Sequence, residues 1–226
     1  MDLFIVYGLT LISLVITVCA QVYVNSSYNK YRRIRNNKGI TGSDAARTFL
    51  DKHGMSNVKV GCVKGTLSDH YDPRSKTVNL SKEVYSGTTI AAVSVACHEC
   101  GHALQDKTNY SFMRIRASLV PVTRFASYAG YIAIALGAAL GAFGAIWFGI
   151  LCEIAILLFQ VVTLPVEFDA SKRALHEMEG LNFFDKQEMK HGKTMLTAAA
   201  LTYVASVAAT LIQIFRLVLM FTRRND

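Results

Sequence analysis

The chain has 226 residues, of which 52% are hydrophobic, and it carries a formal net charge of +8. This composition excludes an ordinary soluble domain of the same length and indicates several membrane spans. No nucleic-acid-reading module accompanies the positive charge, and the 5 cysteines lack the regular spacing of a disulfide framework.

The first apolar segment, residues 3–24, is long enough to cross a bilayer about 30 Å thick. It lacks a basic n-region and a small-residue cleavage site, so we expect a retained anchor and not a signal peptide. Five basic residues follow it directly: Lys30, Arg32, Arg33, Arg35 and Lys38. The positive-inside rule predicts that this loop lies in the cytoplasm and that the N-terminus lies outside.

Residues 41–118 have a more polar composition and form the expected catalytic part. Capping residues followed by an apolar stripe predict a helix over residues 41–53. Alternation of apolar and polar residues predicts a strand over residues 58–63, and the turn-forming residues 72–76 predict a hairpin. A further helical turn is expected at residues 81–85.

The most informative stretch is residues 95–105, which contain a His-Glu-x-x-His motif within a run that predicts a buried helix. Residues four apart lie on one helix face, so His98 and His102 can bind one metal ion. Glu99 lies about 100° around the same helix, within reach of a water held by that metal. Zn²⁺ lowers the pKa of such a water, and a neighbouring carboxylate can take its proton. The motif therefore predicts hydrolysis of peptide bonds by a zinc enzyme.

Two cysteines overlap this motif as a Cys-x-x-Cys pair, which also suits redox chemistry or zinc binding. On a helix, however, Cys97 and Cys100 face away from the two histidines. We expect both cysteines to be small buried packing residues.

The hairpin carries two further candidates for the reaction. His70 or Tyr71 can donate a hydrogen bond to the oxyanion of the transition state. A polar hairpin end without a catalytic role is an equally good interpretation of both residues. An exposed strand here can also hold an extended substrate by main-chain hydrogen bonds.

The next apolar run is too long for one span and fits two, over residues 125–143 and 145–164. A turn is expected at residues 141–144, and the glycines before it suit close helix packing in lipid. Residues 195–221 form the predicted fourth span. Two ionisable residues lie within the predicted spans, and we expect them to pair with each other: Glu153 and Arg216.

Pro165 is expected to mark the end of the third span, followed by a polar helix and loop over residues 166–193. Catalytic zinc commonly takes three protein ligands and a water. Glu167 is the acid best placed by topology to be the third ligand, and Asp169 is its rival. A capping role at the start of the polar helix is the alternative for Glu167. Two weaker ligand candidates stand among charged surface-type residues: His176 and His191.

Four segments together resemble the YugP-like neutral zinc metallopeptidases of bacterial membranes: residues 67–73, 78–81, 95–105 and 167–171. The resemblance implies a membrane zinc peptidase with a cytoplasmic-side active site and a gluzincin-like ligand set. By that pattern His98, His102 and Glu167 are the zinc ligands, and Glu99 is the general base.

A more distant likeness is to the HtpX-type membrane peptidases, whose downstream motif is Glu-x-x-Ala-Asp. Here Glu167 and Ala170 match that motif, but Ser171 replaces the aspartate that supports a zinc-bound histidine. Asp169 is the candidate for this supporting role.

We therefore predict a mainly α-helical integral membrane protein with four transmembrane helices and a small α+β zincin-like part on the cytoplasmic side of a bacterial plasma membrane. The predicted function is that of a Zn²⁺-dependent endopeptidase that acts on protein or peptide substrates, membrane proteins among them. Its other partner is the lipid bilayer, and no nucleic acid is expected. The alternatives are a non-catalytic zinc-stabilised adaptor and a transporter, although the spans lack the broken repeats of transporters.

Overall fold

A computed structural model describes residues 3–222 of the chain. The described part is mainly helical and contains one small sheet. The helices are α1 (Leu3–Tyr31), α2 (Gly42–Lys52), α3 (Lys82–Ser86), α4 (Ile90–Lys107), α5 (Ser111–Leu140), α6 (Phe143–Gly180) and α7 (Lys186–Thr222). The strands are β1 (Lys59–Val63), β2 (His70–Asp72) and β3 (Thr77–Ser81).

Four of these helices are long and apolar enough to cross a membrane, namely α1, α5, α6 and α7. The predicted number of spans and the mainly helical fold class are therefore confirmed. The helices extend beyond the apolar segments, since α5 begins at Ser111 and α6 continues to Gly180.

The expectation that a new helix begins after Pro165 is wrong, because Pro165 lies inside α6, which continues to Gly180. The end of the third membrane span at Pro165 stays a prediction. A proline removes only its own N–H from the helix ladder and crowds the carbonyl four residues earlier. The residues after it keep their own N–H groups, so a long apolar helix can continue past a proline. Glu167 therefore lies within a helix and does not cap the start of a new one.

The described residues form two compact units. The apolar unit consists of the described residues up to Gln21, of Arg114–Pro165, and of those from Leu201 onwards. The mixed unit consists of Val22–Met113 and Val166–Ala200, and it contains the sheet and the His-Glu-x-x-His motif.

In the apolar unit, glycines let α5 and α6 approach closely. A Cβ atom on Gly130 would lie 2.8 Å from the Cβ of Cys152, and one on Gly137 would lie 2.6 Å from a carbon of Ile146. Gly141 has a φ of +70° at the turn between the two helices, a conformation that glycine adopts at little cost. The predicted turn and the predicted close packing by glycine are both confirmed.

The ion pair expected between Glu153 and Arg216 does not form among the described residues. Arg216 instead donates from Nη1 to Thr10 Oγ1 at 3.0 Å and from Nη2 to Gln213 Oε1 at 2.9 Å. Gln213 lies one helical turn before Arg216, so this contact follows from local spacing, whereas the choice of the α1 hydroxyl depends on how the helices pack.

In the mixed unit, the strand order is β1-β3-β2, with β1 parallel and β2 antiparallel to β3. The predicted strand and hairpin are confirmed, and the predicted helix over residues 41–53 is α2. Thr41 begins α2 by accepting a hydrogen bond from the Asp44 N–H, and Gly54 follows the helix with a φ of +59°.

Helix α4 lies in the centre of the mixed unit, and most of its residues are buried. Cys97 and Cys100 are fully buried there, and the Cys100 thiol donates to the Ala46 carbonyl oxygen at 3.6 Å. Burial raises the pKa of both thiols, so they stay protonated and unreactive. The prediction that they are packing residues is confirmed.

Candidate metal centre

The two histidines of the motif stand on successive turns of α4. Their ring centroids are 4.8 Å apart and the ring planes are nearly perpendicular, at 85°. Only 16% of the His98 side chain and 11% of the His102 side chain are exposed. A four-residue spacing within one helix is enough to produce this pair.

Glu167 of α6 brings a carboxylate to the two imidazoles. Its Oε2 atom lies 3.3 Å from His98 Nε2 and 3.7 Å from His102 Nε2, and its side chain is 5% exposed. Ligand atoms at about 2.0–2.2 Å from a tetrahedral zinc ion are separated from one another by about 3.3 Å. The chemistry and the spacing of these three donors therefore fit a zinc ion.

The electrostatics of the cluster also favour a cation beside the imidazoles. Burial lowers the pKa of His102, but the neighbouring carboxylates of Glu167 and Glu99 outweigh it, so the net shift is upward. A site that stabilises positive charge on an imidazole also stabilises a metal cation at the same place.

A glycine in α4 allows α6 to come this close. A Cβ atom on Gly101 would lie 2.6 Å from the carbonyl oxygen of Ala170, far inside contact distance. Gly101 directly precedes His102, and Ala170 lies about one turn after Glu167. Close contact of the two backbones at this point carries Glu167 to the histidines.

Each histidine has a partner for its other ring nitrogen. Ser171 Oγ lies 3.1 Å from His98 Nδ1, and Gln105 Oε1 lies 3.0 Å from His102 Nδ1. These contacts direct both Nε2 atoms toward Glu167, which is how metal-binding histidines are usually oriented. In the sequence, Ser171 is only a departure from the Glu-x-x-Ala-Asp motif, and Gln105 belongs to no predicted set of ligands or supporting residues. The signal for Gln105 was its place three positions after His102, on the same helix face.

Asp169 lies outside the three-residue cluster. Its Oδ2 accepts hydrogen bonds from Gln105 Nε2 at 2.9 Å and from Arg173 Nε at 2.6 Å. The aspartate is thus connected to His102 through Gln105. This arrangement agrees with a supporting position for Asp169 and gives no support to Asp169 as a ligand.

Glu99 is held by the edge of the sheet. Its Oε2 accepts a hydrogen bond from the main-chain N–H of Tyr71 in β2 at 3.0 Å, and the residue is 9% exposed. The strand therefore fixes the carboxylate that follows the first histidine of the motif.

The structure does not bring the side chains of His70 and Tyr71 into the cluster. The His70 ring contacts the Ser68 carbonyl oxygen at 2.8 Å and the Asn79 amide at 3.2 Å. The Tyr71 hydroxyl donates to Asp106 Oδ2 at 2.7 Å, and burial together with this contact raises the pKa of Tyr71. The oxyanion role of either side chain stays a prediction.

The two later histidines also lie elsewhere in the mixed unit. His176 lines a surface groove together with Lys190 and Lys193, and the His191 ring packs against Tyr31 with centroids 5.2 Å apart. Neither belongs to the cluster of metal-type ligands found among the described residues.

A cavity of about 250 Å³ is lined in part by Tyr71 of β2. It is lined in part by Ala103 and Asp106 of α4 and by Lys76. The main-chain N–H of Tyr71 donates to Glu99, so this cavity borders β2, the strand that holds the candidate base.

Comparison with known proteins points to a family of zinc peptidases. A family model described as "Putative neutral zinc metallopeptidase" matches residues 6–222. The chain is 40% identical over 218 residues to "Putative membrane protease YugP" of Bacillus subtilis (strain 168), which covers 96% of this chain and 97% of that protein. No solved structure matches the chain significantly.

Proposed function

Since the chain belongs to the putative neutral zinc metallopeptidase family, we propose that it is a membrane-embedded zinc metalloendopeptidase. Family membership confirms the resemblance drawn from the motifs. The observation that carries the proposal is the approach of Glu167 Oε2, from α6, to the Nε2 atoms of His98 and His102. The helix of these two histidines, α4, also carries Glu99.

His98, His102 and Glu167 are the proposed zinc ligands. The spacing of their donor atoms and the burial of the Glu167 carboxylate between two imidazoles support this assignment. When bound, Zn²⁺ acts as a Lewis acid and makes a coordinated water a nucleophile near neutral pH.

Glu99 is the proposed general base. The Tyr71 N–H holds its Oε2 atom, so we assign Oε1 as the oxygen that takes a proton from the attacking water. The same carboxyl group then gives the proton to the amine of the departing peptide.

For the oxyanion donor, His70 and Tyr71 remain our candidates. Either side chain must first give up a hydrogen bond, to Ser68 and Asn79 for the His70 ring or to Asp106 for the Tyr71 hydroxyl. Rearrangement of this kind on substrate binding is common in catalytic sites.

The chain is a membrane protein, as its four apolar helices and its membrane-protease relative indicate. We propose that it resides in the plasma membrane of a bacterium and cleaves proteins or peptides, including membrane proteins, on the cytoplasmic side. The basic loop after α1 supports this orientation through the positive-inside rule.

The direct test of the activity is the Glu99→Gln variant of the purified full chain. We expect it to retain one zinc ion per chain and to lose cleavage of a mixed peptide library that the wild-type protein cleaves. Full cleavage by Glu99→Gln would rule out Glu99 as the base. Zinc binding without cleavage by either protein would instead indicate a zinc-stabilised adaptor.

A further inference from the structure

The side chain of Gln105 is fully buried in α4 and uses every polar group it has. Its Oε1 contacts His102 Nδ1 at 3.0 Å, and its Nε2 contacts the Val166 carbonyl oxygen at 2.7 Å and Asp169 Oδ2 at 2.9 Å. One amide therefore links the second histidine of the motif to the turn of α6 that carries Glu167.

The hydrogen-bond partners fix the orientation of this amide. A carbonyl oxygen and a carboxylate can only accept, so the atom facing Val166 and Asp169 must be the NH₂ group of Gln105. Arg173 donates to the same Asp169 oxygen at 2.6 Å, so this oxygen is an acceptor in both contacts. Both hydrogens of the amide are then engaged, and the oxygen must face His102.

An amide oxygen cannot donate, so the contact with His102 requires the hydrogen to be on His102 Nδ1. The neutral ring then has its lone pair on Nε2, the nitrogen 3.7 Å from Glu167 Oε2. His98 differs in this respect. Its partner is the Ser171 hydroxyl, which can donate or accept and therefore does not dictate a tautomer.

We propose that Gln105 is a positioning residue that selects the metal-binding tautomer of His102 and holds the α6 turn of Glu167 against α4. The inference rests on the proposed zinc site. The two histidines then differ in how their tautomers are set. The Gln105 amide fixes the tautomer of His102, whereas the tautomer of His98 is set only when zinc binds.

The first test needs no variant and no metal. The ring nitrogens of His102 and His98 are observed by NMR in metal-free full-length protein labelled with ¹⁵N-histidine. The pH is raised until the ¹⁵N shifts themselves report neutral rings. We expect His102 to be in the Nδ1–H form, with His98 as the internal comparison. A His102 ring protonated on Nε2 would overturn the proposal.

The second test measures zinc affinity by competition with a chelator. Gln105→Met keeps the volume of the side chain but removes its three hydrogen bonds, and we expect zinc affinity to fall by about 10- to 100-fold. The matched control is Asn36→Ala. Asn36 is also buried in the mixed unit, where it bonds to Ile40 and to the Thr88 carbonyl.

Asn36→Ala should lower thermal stability and leave zinc affinity within about twofold of wild type, because general loosening does not remove a partner of His102. Zinc affinity of Gln105→Met within the same twofold range would contradict the proposal. If the wild-type protein bound no zinc, the proposed function would fail by itself, while the NMR result would still decide the role of Gln105.

Discussion

The backbones of Gly101 and Ala170 meet so closely that a Cβ atom on Gly101 would lie 2.6 Å from the Ala170 carbonyl oxygen. This contact joins the helix of the two histidines to the helix of Glu167. The position of the proposed third ligand therefore depends on a residue that has no side chain.

Replacing Gly101 with alanine should push α6 away from α4 and weaken the zinc site. We expect zinc affinity to fall at least about tenfold and stability to fall by about 1–3 kcal/mol, as in other overpacked cores. Chelator competition and thermal unfolding measure the two effects. The control is Gly8→Ala in α1, where an added Cβ meets nothing within 4 Å. Equal zinc affinity in both variants would show that this close contact does not set the position of Glu167.

The acids at positions 167 and 169 should respond differently to removal of their charge. Glu167→Gln loses a proposed ligand, so we expect a loss of zinc affinity well beyond 100-fold. Asp169→Asn can still accept a hydrogen bond from Gln105, so its zinc affinity should fall by no more than about tenfold. The reverse order of the two losses would make Asp169 the ligand.

Replacing both motif cysteines with alanine should leave the zinc site intact. Cys97 and Cys100 are fully buried in the core of the mixed unit and do not belong to the cluster. Their replacement therefore removes packing contacts but no metal ligand. We expect one zinc ion per chain with unchanged affinity in the double variant, together with a lower melting temperature. Loss of zinc from a variant that remains folded would instead assign the metal to the thiols.

The two oxyanion candidates can be separated by His70→Ala and Tyr71→Phe. The bonds of the His70 ring are to neutral groups, whereas the Tyr71 hydroxyl donates to the Asp106 carboxylate and is harder to release. We therefore expect the larger loss of kcat, about 100-fold or more, in His70→Ala. Tyr71→Phe should mainly lose about 1–3 kcal/mol of stability. A greater fall of kcat in Tyr71→Phe, with zinc unchanged, would reverse this assignment.

The local parts of the site could be predicted from the sequence because they depend on helix geometry alone. His98 and His102 lie on one face of α4 because they are four residues apart. Cys97 and Cys100 lie on the opposite face because of the same periodicity. The caps of α2 and the turn at Gly141 are equally local.

The parts that depend on packing could not be predicted in the same way. Topology and family resemblance point to Glu167, but the approach of Glu167 to the histidines depends on the contact of Gly101 with Ala170. The side chains of His70 and Tyr71 face other partners because the pairing of β2 with β3 decides their direction. The separate helix expected after Pro165 is instead a continuation of α6, because a proline can lie within a long helix without ending it.

The most direct test of the account is X-ray absorption at the zinc edge of the purified, zinc-loaded protein. We predict a first shell of nitrogen and oxygen at about 2.0–2.1 Å, with the outer-shell signal of two imidazoles. A sulfur shell at about 2.3 Å, or the signal of three or more imidazoles, would contradict a centre built from His98, His102 and Glu167.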